Sequence, residues 1–189
     1  MEKQRCGWVN NAPDIYIKYH DEDWGVPIFD DIKLFELLVL EGAQAGLSWL
    51  TVLKKRENYR LAFDGFDFEK VARYDEDKVQ ELLGNSGIIR NKLKIRSAIR
   101  NAKVFIKIRK EFGSFSDYLW GFVDHKPIIN CFASMSDIPA KTELSDKISK
   151  DLKKRGMNFV GSTIIYAYMQ SIGMVNDHEI SCFRYKELI

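Results

Sequence analysis

Residues 75–105 read DEDKVQELLGNSGIIRNKLKIRSAIRNAKVF, and this stretch carries two helical patterns on either side of a turn. Asp75 starts a short helix that runs through Leu82 and Leu83, and Gly84, Asn85, Ser86 and Gly87 then turn the chain. A long helix follows, in which Ile95, Ala98, Ile99, Ala102 and Phe105 recur at three- and four-residue intervals while Arg96, Arg100, Lys103 and Lys107 remain in water. A glycine-rich hairpin between two helices offers backbone N–H groups at a helix N-terminus, where the macrodipole favours an anion, and Arg90, Lys92 and Lys94 add positive charge. A DNA phosphate suits such a turn. So does a plain αα-corner packed by Ile88 and Ile89, and the stretch alone does not separate the two.

Toward the N-terminus, Asp31 is placed to cap a helix bearing Leu34, Phe35, Leu38 and Val39 at helical spacing, and Leu37 and Leu40 widen its apolar face toward deep burial. Gly46 interrupts that helix, and Ser48 caps another that ends near Arg60. The stretch before Asp31, rich in Asn, Asp and aromatics, reads as irregular. Toward the C-terminus, helices are predicted over 116–123, 145–154 and 162–172, the last closed by Gly173 in a left-handed cap. Strand alternation is absent over any useful length, so the expected class is all-α. No repeat or proline-rich linker divides the chain, and one domain over 1–189 is expected, with the helix-hairpin-helix unit at 75–110.

The net charge of +2 does not by itself announce a nucleic-acid binder, so local runs must decide: Lys54 to Arg56, Arg90 to Arg100, and Lys153 to Arg155. Three cysteines form no even disulfide framework, and neither a secretory leader nor a long apolar span is visible, which points to a reducing, cytoplasmic setting without a membrane.

Two groups of residues carry potential chemistry. Cys6 and His20 lie near one end and His178 and Cys182 near the other; on a helix the last two, four apart, would share a face and could ligate one ion. Two Cys and two His would close a tetrahedral zinc site with no open position, although the spacing matches no contiguous zinc finger and equally fits a buried cysteine with surface histidines. His125 and Cys131 follow neither pair and stay unassigned. The run His20-Asp21-Glu22-Asp23 reads as a solvated loop, with an open metal site as the alternative. The second group is Glu41 at the end of a strongly apolar helix with Trp49 eight residues on. A buried carboxylate needs a donor or a positive partner, and together with the aromatic-rich N-terminal stretch of Trp8, Tyr16, Tyr19 and Trp24 it would suit a flat cationic ligand; a solvated helix end or structural ion pair for Glu41 and core packing for Trp49 are the plainer alternatives.

Taken together, Cys6-Gly7-Trp8, Tyr19 to Pro27, Leu40-Glu41-Gly42, Gln44 to Trp49, Lys54-Lys55-Arg56, Gly87-Ile88-Ile89-Arg90, Lys154-Arg155-Gly156, Phe159-Val160-Gly161 and Val175 to His178 followed by Cys182 resemble the bacterial 3-methyladenine DNA glycosylase I family almost end to end. The resemblance implies a helix-hairpin-helix glycosylase fold whose termini are joined by one structural Zn2+ per chain on Cys6, His20, His178 and Cys182. It implies hydrolytic excision of N3-methyladenine from alkylated double-stranded DNA by a monomer. By the same carry-over Glu41 is the pocket carboxylate, in recognition or as an electrostatic aid, and Trp49, Tyr16, Tyr19 and Trp8 meet the base. Gln44, Gly46, Leu47, Gly87, Arg90 and Lys92 meet the DNA. Two rival classes are a noncatalytic helix-hairpin-helix DNA-binding module and a metal-dependent hydrolase.

Overall fold

The computed structural model describes residues 3–189, and it is mostly helical. Its centre is α2 (Asp31–Gln44), where every residue from Leu34 to Ala43 is buried. A helix that is apolar nearly all round needs neighbours on every side, and α3 (Trp49–Leu53), α7 (Lys92–Phe112), α8 (Phe115–Trp120) and α10 (Ser162–Ser171) supply them. The predicted face of α7 is the buried one: Ile95, Ala98, Ile99, Ala102 and Phe105 all point into the core. There Phe105 lies 5.3 Å from Phe35 and 4.0 Å from Phe115, ring centre to ring centre.

The start of α2 differs from expectation by one residue, with a structural consequence. Asp30, not Asp31, is the cap, its carboxylate accepting from Lys33 N at 2.9 Å. Asp31 instead reaches across to accept from Ser116 N, Phe115 N and Arg109 Nε, so it satisfies the open N-terminus of α8 from another helix. Ser48 caps α3 as expected, but the chain breaks at Lys54 and Lys55 and α4 (Arg56–Ala62) follows separately. The short α5 (Phe68–Val71), which the periodicity did not reveal, packs on α7.

The hairpin unit consists of α6 (Glu76–Gly84), capped by Asp75, and α7, capped by Asn91. Of the remaining helices, α9 (Glu143–Arg155) and α10 pack together and α8 continues as a 3-10 turn to Val123. Two features depart from the expected pattern. The N-terminal stretch is not wholly irregular, because α1 (Asp14–Glu22) lies within it. Two two-residue strands, β1 (Ile128–Ile129) and β2 (Val175–Asn176), pair in parallel; they are too short to leave an alternation in sequence.

Gly173 fixes how the N-terminal segment meets α10. It holds φ +68°, and a Cβ there would run into the Val26 carbonyl group and Pro27 N. With no side chain in the way, Gly25 N donates to Gln170 O and Ile28 N to Ile172 O, laying residues 25–28 along the end of α10. Among the described residues, no helix is long and apolar enough to cross a membrane.

Candidate functional site, an aromatic cavity and a Cys/His cluster

A cavity of about 370 Å3 opens between α1, α2, α3, α10 and the segment 135–140. Helical spacing explains who lines it. Tyr16 and Tyr19 are three apart on α1, and Glu41 and Gln44 three apart on α2. Thr163, Tyr166, Ala167 and Gln170 run down one face of α10. Trp49, at the first position of α3, stands 5.3 Å from Tyr19, and Trp8 stands 4.9 Å from Tyr16, all as ring centres. The two tyrosines thus owe their shared direction to α1, the element whose existence the sequence did not announce.

Two polar atoms in this cavity are buried and have no hydrogen-bond partner among the described residues: Glu41 Oε2 and Trp49 Nε1. Native interiors seldom leave such groups bare, and each costs about 1–3 kcal/mol, so they are what a ligand would satisfy. Burial pushes the Glu41 carboxyl up to about 8, with only a hydrogen bond to Ser171 opposing it. Glu36, one and a half turns earlier on the same helix, takes the opposite course. Burial resists its ionisation too, yet Arg56 Nε at 2.7 Å and Arg60 at 3.0 Å, with Lys33 beyond, hold it below the ordinary carboxylate range. The protein therefore has arginines available for a buried glutamate and places none beside Glu41. Burial and then the nearness of Glu41 raise the Tyr16 and Tyr19 hydroxyls, so both remain O–H donors at neutral pH.

Cys6, His20, His178 and Cys182 come together next to this cavity, all four buried, with ligand atoms within 4.8 Å of one another. Cys6 Sγ lies 3.4 Å from His178 Nδ1, and Cys182 Sγ lies 3.5 Å from His20 Nε2 and 3.6 Å from His178 Nδ1. A tetrahedral zinc with its usual bond lengths would set a sulfur and a nitrogen about 3.5 Å apart, so the spacing fits one ion. The outer partners fit as well. His20 Nδ1 faces Asp21 Oδ1 at 2.8 Å and His178 Nε2 faces the Trp24 carbonyl at 3.1 Å, which puts the proton on the far nitrogen of each ring and a lone pair toward the cluster. Glu179 N donates to Cys6 Sγ. A hydrogen bond with Cys6 is the first cause of a Cys182 thiol held far below its ordinary value, with His178 and His20 adding to it.

The route to this cluster is not the expected one. His178 and Cys182 share no helix: a turn joins them, and Cys182 stands just before α11 (Phe183–Glu187). Nor is His20-Asp21-Glu22-Asp23 a solvated loop. His20 to Glu22 are the last turn of α1, Asp21 binds Arg5 and His20, and Asp23 binds Arg56 at 2.8 Å. Trp24 lies 4.6 Å from His178 and Trp8 lies 5.2 Å from His20, so the two tryptophans separate cluster and cavity while touching both.

Of the residues expected at DNA, Gln44 lines the cavity, Gly46 turns the chain outside it, and Leu47 is 41% exposed beside them. Arg90 and Lys92 are exposed at the hairpin, Lys92 lying 3.7 Å from Glu76. Gly87 is a glycine for close packing, because a Cβ would meet Asn85 Oδ1 and Asn58, and its N–H donates to Asn85 Oδ1 at 2.8 Å. Lys94 faces inward, donating to the carbonyls of Ala43 at 2.8 Å and Ala45 at 2.7 Å. Arg56 and Arg155 are likewise occupied by carboxylates, so two of the basic runs contribute less free charge than their composition suggested. His125 and Cys131, left unassigned in the sequence, are exposed, with Cys131 Sγ 3.1 Å from Tyr185 OH. Sequence reasoning missed Met135, Ile138, Pro139 and the α10 face; the one signal there was Gln170, an amide following the mainly apolar run Ile164 to Met169.

Comparison with known proteins places this geometry. A family profile described as methyladenine glycosylase matches residues 8–185. The chain is 50% identical over 182 residues to DNA-3-methyladenine glycosylase 1 of Escherichia coli K12, covering 96% of this chain and 97% of that protein. It is 50% identical over 178 residues to DNA-3-methyladenine glycosylase of Haemophilus influenzae, covering 94% and 96%. Among solved structures, 3-methyladenine DNA glycosylase I superposes with a TM-score of 0.92 at 52% identity, covering 95% of this chain and 98% of the other. A variant of such an enzyme in complex with 3-methyladenine superposes at 0.91 with 34% identity, covering 95% and 96%. Matched along nearly its whole length by sequence and by shape, the chain belongs to the methyladenine glycosylase family.

Proposed function

We infer that the protein is a DNA-3-methyladenine glycosylase that hydrolyses the bond between deoxyribose and N3-methyladenine in alkylated DNA, leaving an abasic site for base-excision repair. The observation that carries this reading is the aromatic cavity with an uncompensated Glu41 carboxylate and an unpaired Trp49 N–H. A flat cation with an amino group satisfies both the electrostatics and the stacking, and the relatives' names and the 3-methyladenine complex support the same ligand. The noncatalytic rival would leave those buried groups without a purpose.

The lesion must leave the duplex, and a methylated base with impaired pairing costs less to extrude. Gln44 lines the cavity and the chain turns away from it through Gly46 and Leu47, where the exposed Leu47 can fill the gap in the stack. Gly87, Arg90 and Lys92 at the hairpin face the phosphates. In the cavity the base stacks on Trp49 with Tyr19, Tyr16 and Trp8 around it, and Glu41 accepts from its amino group. N3-methyladenine is cationic while attached to sugar, so the bonding pair leaves with a base that becomes neutral, and no acid has to protonate it. Water adds to the sugar carbon and gives its proton to solvent. The cationic lesion beside it favours the ionised form of Glu41, which is then the anion nearest the positive charge that passes from base to sugar. One chain lines the whole cavity, so a monomer suffices, acting on the chromosome in the cytoplasm.

We also propose that Cys6, His20, His178 and Cys182 hold one Zn2+. Such a four-ligand ion supplies cross-linking and no open coordination site, so base release belongs to the cavity and should survive in the presence of chelators for as long as the fold does.

Incubating the purified protein with methylated DNA and identifying the freed bases tests the reading. N3-methyladenine is the expected product, and its absence would refute the assignment. Single-turnover excision by Glu41→Gln should fall at least about tenfold; unchanged excision with normal lesion affinity would remove Glu41 from the mechanism.

A further inference from the structure

Asp177 is 1% exposed, and among the described residues no cation pairs with it; three neutral donors satisfy it. Asn130 Nδ2 donates to Oδ1 at 2.6 Å, while Tyr166 OH at 2.6 Å and Gln170 Nε2 at 2.8 Å both donate to Oδ2. Two of these donors, Tyr166 and Gln170, stand on the α10 face that lines the cavity. The arrangement constrains Gln170. A carboxylate oxygen needs a donor, so the amide must turn its NH2 group to Asp177, and a flip would set two acceptors against each other. Beyond that bond the side chain keeps the second N–H of its amide and the amide oxygen, and the oxygen, its only acceptor, has no protein donor among the described residues. The backbone is pinned as well, since Gly25 N and Gly173 N both donate to Gln170 O.

We propose that Gln170 is a specificity-determining residue: held by Asp177, its Oε1 accepts one N–H of the exocyclic amino group of the bound base while Glu41 accepts the other. This rests on the reading of the cavity as a 3-methyladenine site and deepens it. An acceptor locked in place accepts an amino group and rejects a carbonyl at the same position, so the pair Gln170–Asp177 would select 3-methyladenine over its 6-oxo counterpart, 3-methylhypoxanthine. The sequence does not show that the two are partners, because the bond between them spans a helix, a turn and a strand.

Binding of the two free bases is read by quenching of the cavity tryptophans, for the full chain and for Gln170→Met and Gln170→Asn. The second variant keeps the amide but is one methylene short of spanning Asp177 and the base. Both variants should bind 3-methyladenine about 3- to 10-fold more weakly, the loss expected for one neutral hydrogen bond, with 3-methylhypoxanthine unchanged or tighter. A preference ratio that stays within twofold of the unaltered chain overturns the proposal, including the case where both ligands weaken together. A third arm needs no variant. N6-monomethylation of 3-methyladenine removes one amino hydrogen and should weaken binding to the unaltered chain, so undiminished affinity also overturns it. If the unaltered chain binds no 3-methyladenine at all, it is the reading of the cavity that fails.

Discussion

Glu36 and Glu41 show how far one position on a helix can change a side chain's chemistry. Both are buried on α2. The arginines of α4 reach Glu36 and keep it ionised; among the described residues nothing cationic reaches Glu41, and desolvation pushes its carboxyl up to about 8. A group whose folded value is raised from an ordinary 4.5 contributes stability below pH 4.5 and loses it as pH rises through 8. Glu41→Gln, which never ionises, should therefore be the more stable protein at high pH, by about 2–5 kcal/mol above pH 8. The difference in Tm between the two proteins is expected to widen from pH 5 to pH 9. A constant difference across that range would show that Glu41 does not carry the strain assigned to it. Stability given up at one carboxylate is a known cost of a ligand site.

At the scale of elements, the helix starting at Lys92 does two tasks at once. Its apolar face completes the core, and Lys94 near its N-terminus donates to two carbonyls at the end of α2. That places the hairpin and the Gln44 to Leu47 turn in one rigid relation. Lys55, just before α4, donates to the Ser86 carbonyl, and Ile89 N donates to Tyr59 OH on α4, which ties the same hairpin to that helix. Lys94→Met keeps the chain's length and removes the ammonium. It should raise KM for lesion DNA about tenfold while the affinity for free 3-methyladenine stays within twofold, because the turn loosens and the pocket does not. Equal losses on DNA and free base would locate the effect in the pocket instead. Asp31 makes a related point: read as a cap for its own helix, it instead accepts the Phe115 and Ser116 N–H groups at the start of α8, beside that helix's own cap Ser114.

Across the whole molecule, the Cys/His cluster joins segments 172 residues apart, with Phe183 N donating to Gln4 O beside it. Trp8 and Trp24 rest between cluster and cavity. Removing a ligand should therefore loosen one wall of the pocket from a distance. Cys182→Ser is expected to lose stoichiometric zinc and to melt lower, with excision at low temperature falling less than stability does. Full metal occupancy with an unchanged Tm would refute the four-ligand clamp.

The sequence by itself determined the helical class, the face of α7, the caps at Ser48 and Asp75 and, through ordered motifs, the family. Those signals are local: a period, a cap or a run of matching residues is complete within a few turns. Only the tertiary structure decided that α1 exists within an unpatterned stretch and aims Tyr16, Tyr19 and His20 at two adjacent sites. Only it decided that Arg56 and Lys94 are already engaged and that Asp177 holds Gln170. Each of those facts depends on which partner occupies the space opposite a side chain, and a buried charge or amide takes its role from that partner rather than from its neighbours in the chain.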